Sequence, residues 1–431
     1  FMNTTFAFSI LLCFITLHLQ AQKLNKTERK IVEEVNSMNK ESLLFLEKVV
    51  NINSGTLNLK GVREVGEVFS DAFQEIGFQT EWIEMPDTMN RAGHLFASID
   101  GEKGKKLLLI GHLDTVFEKN SPFQTFEQLN DSVAYGPGAN DMKGGDVVVL
   151  FALKALANLN LLKNATITVA FTGDEESTGK PLSISRKALI EAGKKADIAL
   201  GFENATGFNN ATIARRGASG WKVEVKGKRA HSSGVFNEQI GAGAIFEMSR
   251  ILNSFYEEVR GEQYLTFNPG TLLGGTFVDY DKQTSSGEVF GKTNVVAQTA
   301  IVNGGLRFIS EEQKENASAK MRKIVSQNLP QTSANISFTD SYPAMGPTDG
   351  NKVVLEVLSE VSQDLGFGSV TGYDPSKRGA ADISFVADYV DGLDGLGTMG
   401  NAAHTPQETV NINTINALIQ RAAILIYRLT R

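Results

Sequence analysis

Short β-type runs alternate with helical stretches along most of this 431-residue chain. The runs at 95–99, 106–110, 166–171 and 197–202 are apolar and separated by segments rich in Gly, Pro and polar residues. A helical pattern at 145–159 lies between the second and third of them. Strands that alternate with helices bury both faces of their sheet, so the pattern predicts an α/β fold with a mainly parallel sheet flanked by helices. Ahead of these runs, residues 26–78 are helical in pattern: Ile31, Val35 and Met38 recur at helical spacing, and 42–50 continues it.

The pattern changes near Arg215. Residues 221–225 alternate strictly between apolar and charged, as a half-exposed strand does. A helix predicted over 239–260 follows, then β-type runs at 293–301 and 305–308, a helix over 311–327 and a strand at 334–338. This order predicts a small α+β unit with one solvated sheet face. After Tyr342-Pro343 the α/β pattern resumes, with helices expected at 352–365 and 380–388, a strand at 393–399 and a closing helix at 412–428. The chain therefore reads as one discontinuous unit, 23–215 with 341–431, interrupted by an insertion at 216–340.

Composition removes several function classes. With 42 Lys+Arg against 49 Asp+Glu the net charge is −7, the wrong sign for a general nucleic-acid binder. A single cysteine, Cys13, excludes a disulfide framework. Cys13 lies in the uncharged apolar run 6–17, which ends in Leu19-Gln-Ala21 before polar Gln22-Lys23. Residues 1–22 are read as a secretory signal peptide, which predicts a secreted or periplasmic protein with no membrane association after its removal. Leu12 stands where a lipoprotein signal needs a small residue, which argues against lipidation. No other run is long enough to span a membrane.

Of the five histidines, His18 leaves with the signal. His112 and His404 each follow a predicted strand, as do the pair Glu175 and Glu176 and the single Glu203. In open α/β sheets, sites form beyond the carboxyl ends of strands. The loop Tyr135-Gly-Pro-Gly-Ala-Asn-Asp-Met-Lys-Gly-Gly145 opens a helix and presents Asp141. Its spacing fits neither a phosphate-binding loop nor a dinucleotide fingerprint. Taken singly, His-x-Asp is common and Glu-Glu is more often a solvated turn. Converging on one sheet edge, imidazoles and carboxylates suit zinc or a similar divalent ion, and the lack of thiolates excludes a Cys-type structural site.

Gly111-His-Leu-Asp-Thr-Val116, the Tyr135–Gly145 loop and Thr172-Gly-Asp-Glu-Glu176 together resemble the co-catalytic zinc metallopeptidase family. That family contains glutamate carboxypeptidase, aminoacylase, acetylornithine deacetylase and succinyl-diaminopimelate desuccinylase. The resemblance runs in order from about Val49 to the end of the chain and is nearest to the folate-hydrolysing glutamate carboxypeptidases. It implies a zinc-exopeptidase-like α/β fold with an inserted ferredoxin-like lid and dimerisation domain. It also implies two zinc ions, with cobalt or manganese as substitutes. Asp141 would bridge the two, with His112 and Glu203 completing one site and Glu176 and His404 the other. Glu175 would be the general base, and Asp114 would orient the His112 ring. The Asp141–Met142 peptide is expected to be cis. His231, by composition a surface-turn histidine, would by resemblance stabilise the oxyanion in a neighbouring subunit, which predicts a homodimer through the insertion, with Leu272 and Leu273 at its edge. Asn294 and Arg307 would hold the substrate carboxylate of a small peptide or N-acyl amino acid. His94 carries no such context and reads as an ordinary strand-edge histidine.

Two departures bear on the substrate. Tyr342 precedes Pro343-Ala344 where close relatives carry Arg, and Ser376-Lys-Arg-Gly-Ala-Ala-Asp382 replaces the usual Gly-rich turn before the later Asp. Arg378 is a candidate to supply the missing positive charge. The metal ligands thus transfer from the resemblance, whereas the choice among carboxypeptidase, N-acyl amino acid deacylase and dipeptidase stays open.

Overall fold

The computed structural model describes residues 24–431 apart from Gln283. The expected signal peptide, with Cys13 and His18, lies outside the described residues. None of the described helices is long and apolar enough to cross a membrane.

A six-stranded sheet carries the chemistry. Its order is Gln79–Ile83, His94–Ile99, Ala165–Thr172, Lys103–His112, Ile198–Gly201 and Gly392–Leu393. The last four are mutually parallel, while Gln79–Ile83 and His94–Ile99 join antiparallel at one side. The sheet is therefore mixed, with its parallel part beneath the site. Its central strand is buried on both faces: Leu107 and Leu109 point to one side, Leu108 and Ile110 to the other. This explains why these strands read as continuous apolar runs and not as alternating ones.

The first face packs against the helices Leu59–Glu75, Lys143–Asn158 and Ile412–Leu429 through fully buried Phe69, Val148 and Ile415. Truncating Phe69 to Ala here would cost about 3–5 kcal/mol. The opposite face is covered by Leu189 of the helix Lys187–Gly193 and by Ile383 and Phe385. Gly145 lets the helix Lys143–Asn158 approach closely, since a Cβ there would meet the Phe202 carbonyl oxygen at 2.0 Å. That approach sets the Asp141 loop beside Glu203.

The insertion has its own antiparallel sheet in the order Thr266–Gly275, Thr299–Phe308, Gly217–Gly227, Thr332–Asp340. With the helices Ala244–Glu258 and Glu311–Val325 the chain runs β-α-β-β-α-β, a ferredoxin-like arrangement. Trp221, Val223 and Val225 face those helices and bury against Met248, Phe255 and Met321. Lys222 and Glu224 face away, as their alternation predicts. Two chain crossings join the insertion to the larger sheet, and there Arg215 and Met345 exchange backbone hydrogen bonds.

Several expectations are corrected. The helix expected over 239–260 begins only at Ala244, because Gly241 and Gly243 adopt φ of 70° and 79°. The helix expected at 380–388 shrinks to the 3-10 turn Asp382–Phe385, with Asp382 tied to Arg186. The strand expected at 393–399 is the short pair Gly392–Leu393, followed by extended chain that bridges Ala205 at Met399. His94 is not at an edge: its strand lies between two others and its side chain is fully buried.

Candidate metal centre

The strand ends bring the expected residues together. His112 closes the strand Lys103–His112, and its Nε2 lies 3.4 Å from Asp141 Oδ1 and 3.7 Å from Glu203 Oε1. The second oxygen of Asp141 lies 3.1 Å from His404 Nε2, which is 3.2 Å from Glu176 Oε2. Asp141 thus stands between two imidazoles, one oxygen toward each. Ligand atoms of His112, Glu175 and Glu203 lie within 4.8 Å of one another, as do those of His112, Asp141 and Glu176. The Asp141–Met142 peptide is cis. His404 sits in a turn at φ 65°, a left-handed conformation that costs a non-glycine residue on the order of 1–3 kcal/mol.

The electrostatics are those of a carboxylate cluster short of cations. Burial and the Asp141 charge push Glu203 up to about 7. Burial likewise raises Glu175 well above its ordinary value, against the pull of His112, with Glu203, Asp382 and Glu176 adding to the rise. Hydrogen bonds to Asp141 and Glu176 push His404 up to about 11. Burial lowers His112, but Asp114, Asp141 and the Glu175 charge outweigh it and hold the ring well above its usual range. Two buried atoms aimed into the cluster, His112 Nε2 and Glu176 Oε1, have no hydrogen-bond partner. Buried polar atoms are rarely left so. Orphaned imidazole and carboxylate atoms around shared Asp141 fit a pair of divalent cations.

A supporting layer fixes these groups. His112 Nδ1 lies 2.9 Å from the Asp114 backbone carbonyl and 3.5 Å from its carboxylate, so the backbone oxygen is the nearer acceptor for the ring. The Asp114 carboxylate instead accepts the N–H groups of Glu175 (3.0 Å) and Glu176 (3.1 Å) and the Thr56 hydroxyl (2.6 Å). It therefore sets the turn that presents both glutamates. Glu408 Oε1 does the same for the other loop, accepting from Asn140 N and Asp141 N at 2.9 and 3.1 Å. Beneath the Glu175 turn, fully buried Arg186 pairs with Asp174 and with Asp382, the latter at 2.8 Å. His94 Nδ1 accepts the Gly173 N–H at 3.1 Å, so its Nε2 donates to the Ser185 carbonyl at 2.7 Å.

Nothing in the sequence singles out Glu408, Thr56 or Arg186, and Asp382 is marked there only as the acid that follows the altered turn. Asp174 sits inside a recognised motif, and Glu408 follows His404 by four residues, but neither position announces its partner.

The remaining expected site residues lie elsewhere. His231 is exposed, and its Nδ1 lies 2.8 Å from Ser233 Oγ. Asn294 is its neighbour: its carbonyl accepts the Ser232 N–H at 2.9 Å, and His231 bridges Val295. Arg307 lies on the strand Thr299–Phe308, close enough to Arg216 for mutual repulsion, after burial, to lower its affinity for a proton. Among the described residues, no hydrogen bond or ion pair joins these three to the cluster. Arg378 does border it. It lines a recess of about 200 Å³ with Asp141, Glu203, Asn204, Arg215 and His404.

The sequence profile of peptidase family M20/M25/M40 matches residues 108–428. Carboxypeptidase G2 from Pseudomonas sp. (strain RS-16) is 27% identical over 387 residues, covering 88% of this chain and 87% of the relative. A succinyl-diaminopimelate desuccinylase from Rickettsia bellii (strain OSU 85-389) is 25% identical over 396 residues, covering 87% and 93%. The fold is similar to that of aminopeptidase PepT from Bacillus cereus ATCC 10987, with a TM-score of 0.73 at 18% identity over 91% of this chain and 99% of that one. With its strand-end His and carboxylate cluster and a family match over more than half its length, the chain belongs to peptidase family M20/M25/M40 and is a hydrolase.

Proposed function

We propose that this protein is a dinuclear zinc carboxypeptidase that hydrolyses an amide bond next to a free carboxylate, such as that of a C-terminal glutamate. The observation that carries the reading is Asp141, with one oxygen toward His112 and the other toward His404. His112 and Glu203 would hold one ion and Glu176 and His404 the other, with Asp141 shared; cobalt or manganese would substitute. When bound, the ions polarise the scissile carbonyl and make water more acidic. Glu175 faces the same space as the ligands, with a carboxylate oxygen within 4.8 Å of ligand atoms of His112 and Glu203. It takes the proton of the attacking water and passes it to the leaving amine. Asp114 holds its backbone in place while this happens.

The insertion supplies what the cluster lacks. His231 would donate to the developing oxyanion across a homodimer, and Asn294 and Arg307 would hold the substrate carboxylate. Exposed Leu272, Phe277 and Phe290, at 55%, 59% and 54%, supply an apolar surface for that pairing. Secretion or a periplasmic location follows from the apolar run at 6–17.

A second reading, an N-acyl amino acid deacylase or a dipeptidase, is favoured by the desuccinylase among the relatives. A panel of C-terminal glutamyl amides, N-acyl amino acids and free dipeptides, assayed on samples of measured metal content, separates the two. The mechanism predicts that Glu175→Gln lowers kcat by about 10²–10⁴-fold. Normal turnover by that variant would contradict it.

A further inference from the structure

We propose that the recess beside the cluster is a subsite for a second anionic group of the substrate, with Arg378 as its anchor and Lys377 at its rim. This rests on the amide-hydrolase reading above and narrows its substrate class to amides carrying an acidic group besides the carboxylate assigned to Asn294 and Arg307.

Two cations in the recess have different surroundings. Arg215 is matched: its Nε meets Asp394 Oδ2 at 2.6 Å and its Nη1 donates to the Gly379 carbonyl. Arg378 is also buried, at 9% exposure, yet its hydrogen-bond partners are the Asn204 side-chain oxygen at 2.8 Å and the Asn204 carbonyl at 3.2 Å, neither of them charged. Its Nε is buried without a partner, and so is Arg215 Nη2. A buried guanidinium held by neutral oxygens leaves an ion desolvated and uncompensated, an arrangement proteins avoid unless something charged arrives.

The anions that face Arg378 do not fill that role. Glu203 and Asp141 are cluster members whose charge the two metal ions would take up, and Asp394 is committed to Arg215. Asp374, near Lys377 and Arg216, spends its oxygens on Ser376. Lys377 is exposed at the mouth. Arg378 and Arg215 both line about 200 Å³ and each keeps one N–H without a partner, which suits one carboxylate, since a guanidinium binds that group through directed N–H donors. Asn204 holds the Arg378 fork in place before the ligand enters.

The test compares substrates that differ by one group, carboxylate against carboxamide, placed on the acyl or the amine side of the amide. Wild type is expected to prefer the acid by at least 50-fold in kcat/KM for one of the two pairs, mainly through KM. In Arg378→Gln that preference falls below 5-fold, and Arg378→Lys recovers part of it. Calorimetric titration of the zinc-loaded protein with glutarate reads the same subsite without turnover: Arg378→Gln is expected to weaken it at least 10-fold relative to acetate. Should Arg378→Gln not fold, Lys377→Gln, at an exposed position, is expected to weaken glutarate about 3-fold. Equal rates on acid and carboxamide in both pairs, or a preference unchanged in the variants, would overturn the subsite. Failure to hydrolyse any amide would overturn the hydrolase reading instead, and the glutarate titration would still report on Arg378.

Discussion

The hydroxyl of Tyr342 donates to the backbone carbonyl of Glu175 at 2.7 Å. Tyr342 stands where the chain returns from the insertion, and its own carbonyl accepts from Ala218 N in the insertion's first strand. Its ring packs on Phe385 with centroids 5.0 Å apart. The residue that ends the insertion therefore also braces the proposed general base. Removing only the oxygen, as in Tyr342→Phe, keeps the ring contact and loses two hydrogen bonds, to the Glu175 carbonyl and to the Thr178 hydroxyl (2.8 Å), each worth about 0.5–1.5 kcal/mol. The expected outcome is a kcat lower by about 3–10-fold with KM and melting temperature little changed. An unchanged kcat would show that the Glu175 turn needs no such brace.

Asp114 makes a stronger demand on the same turn, because its carboxylate accepts two backbone N–H groups and a hydroxyl. Asp114→Asn keeps the shape but replaces one of the two acceptor oxygens with an NH₂ that faces donors. Metal affinity or activity should fall by about 10–100-fold, as for other residues that orient ligands. Metal titration monitored by calorimetry checks this, and wild-type affinity in the variant would rule the role out.

Arg186 lies between Asp174 and Asp382 with no exposed side-chain surface. Replacing it with Met leaves two buried carboxylates unmatched, so unfolding by denaturant should show a loss of about 3–5 kcal/mol. A loss below about 1 kcal/mol would mean that the carboxylates find other partners.

His94 links stability to pH. Its ring is neutral in the fold, with Nδ1 accepting and Nε2 donating; burial lowers its affinity for a proton against the pull of Asp174, with Arg186 adding to the fall. The unfolded chain takes up that proton below the ordinary imidazole value of about 6.5. Below that pH the unfolded state binds more protons than the folded one, so the His94 contribution is present above about 6.5 and is lost as pH falls. Between pH 7 and 5.5, wild type should lose stability with a steeper slope than His94→Gln, by at most about 1.4 kcal/mol per pH unit. Equal slopes would assign the pH dependence to other groups.

Particular residues show what the sequence could and could not reveal. His112, Glu203 and the Glu175–Glu176 pair were legible because apolar strands buried on both faces stop abruptly at them, and an abrupt stop is visible locally. The alternation at Trp221–Val225 likewise gave the insertion's sheet. Arg186 with Asp382, Arg215 with Asp394 and Glu408 with Asn140 were not legible, since each pair joins segments more than 170 residues apart and follows no period. The burial of His94 is hidden from the sequence for a related reason: its partner is the Ser185 carbonyl, 91 residues away. Asp114 was legible as a participant, but its main acceptor role, toward the Glu175 and Glu176 N–H groups, emerged only from the folded turn.

The account stands on Asp141 as a carboxylate shared between two ions. Metal content per chain, measured by elemental analysis after dialysis and zinc reloading, tests it most directly. Wild type should hold two ions, His404→Ala one, and Asp141→Ala fewer than one, with activity falling in step. A single ion in wild type, two ions in Asp141→Ala, or full activity in the chelated protein would contradict it.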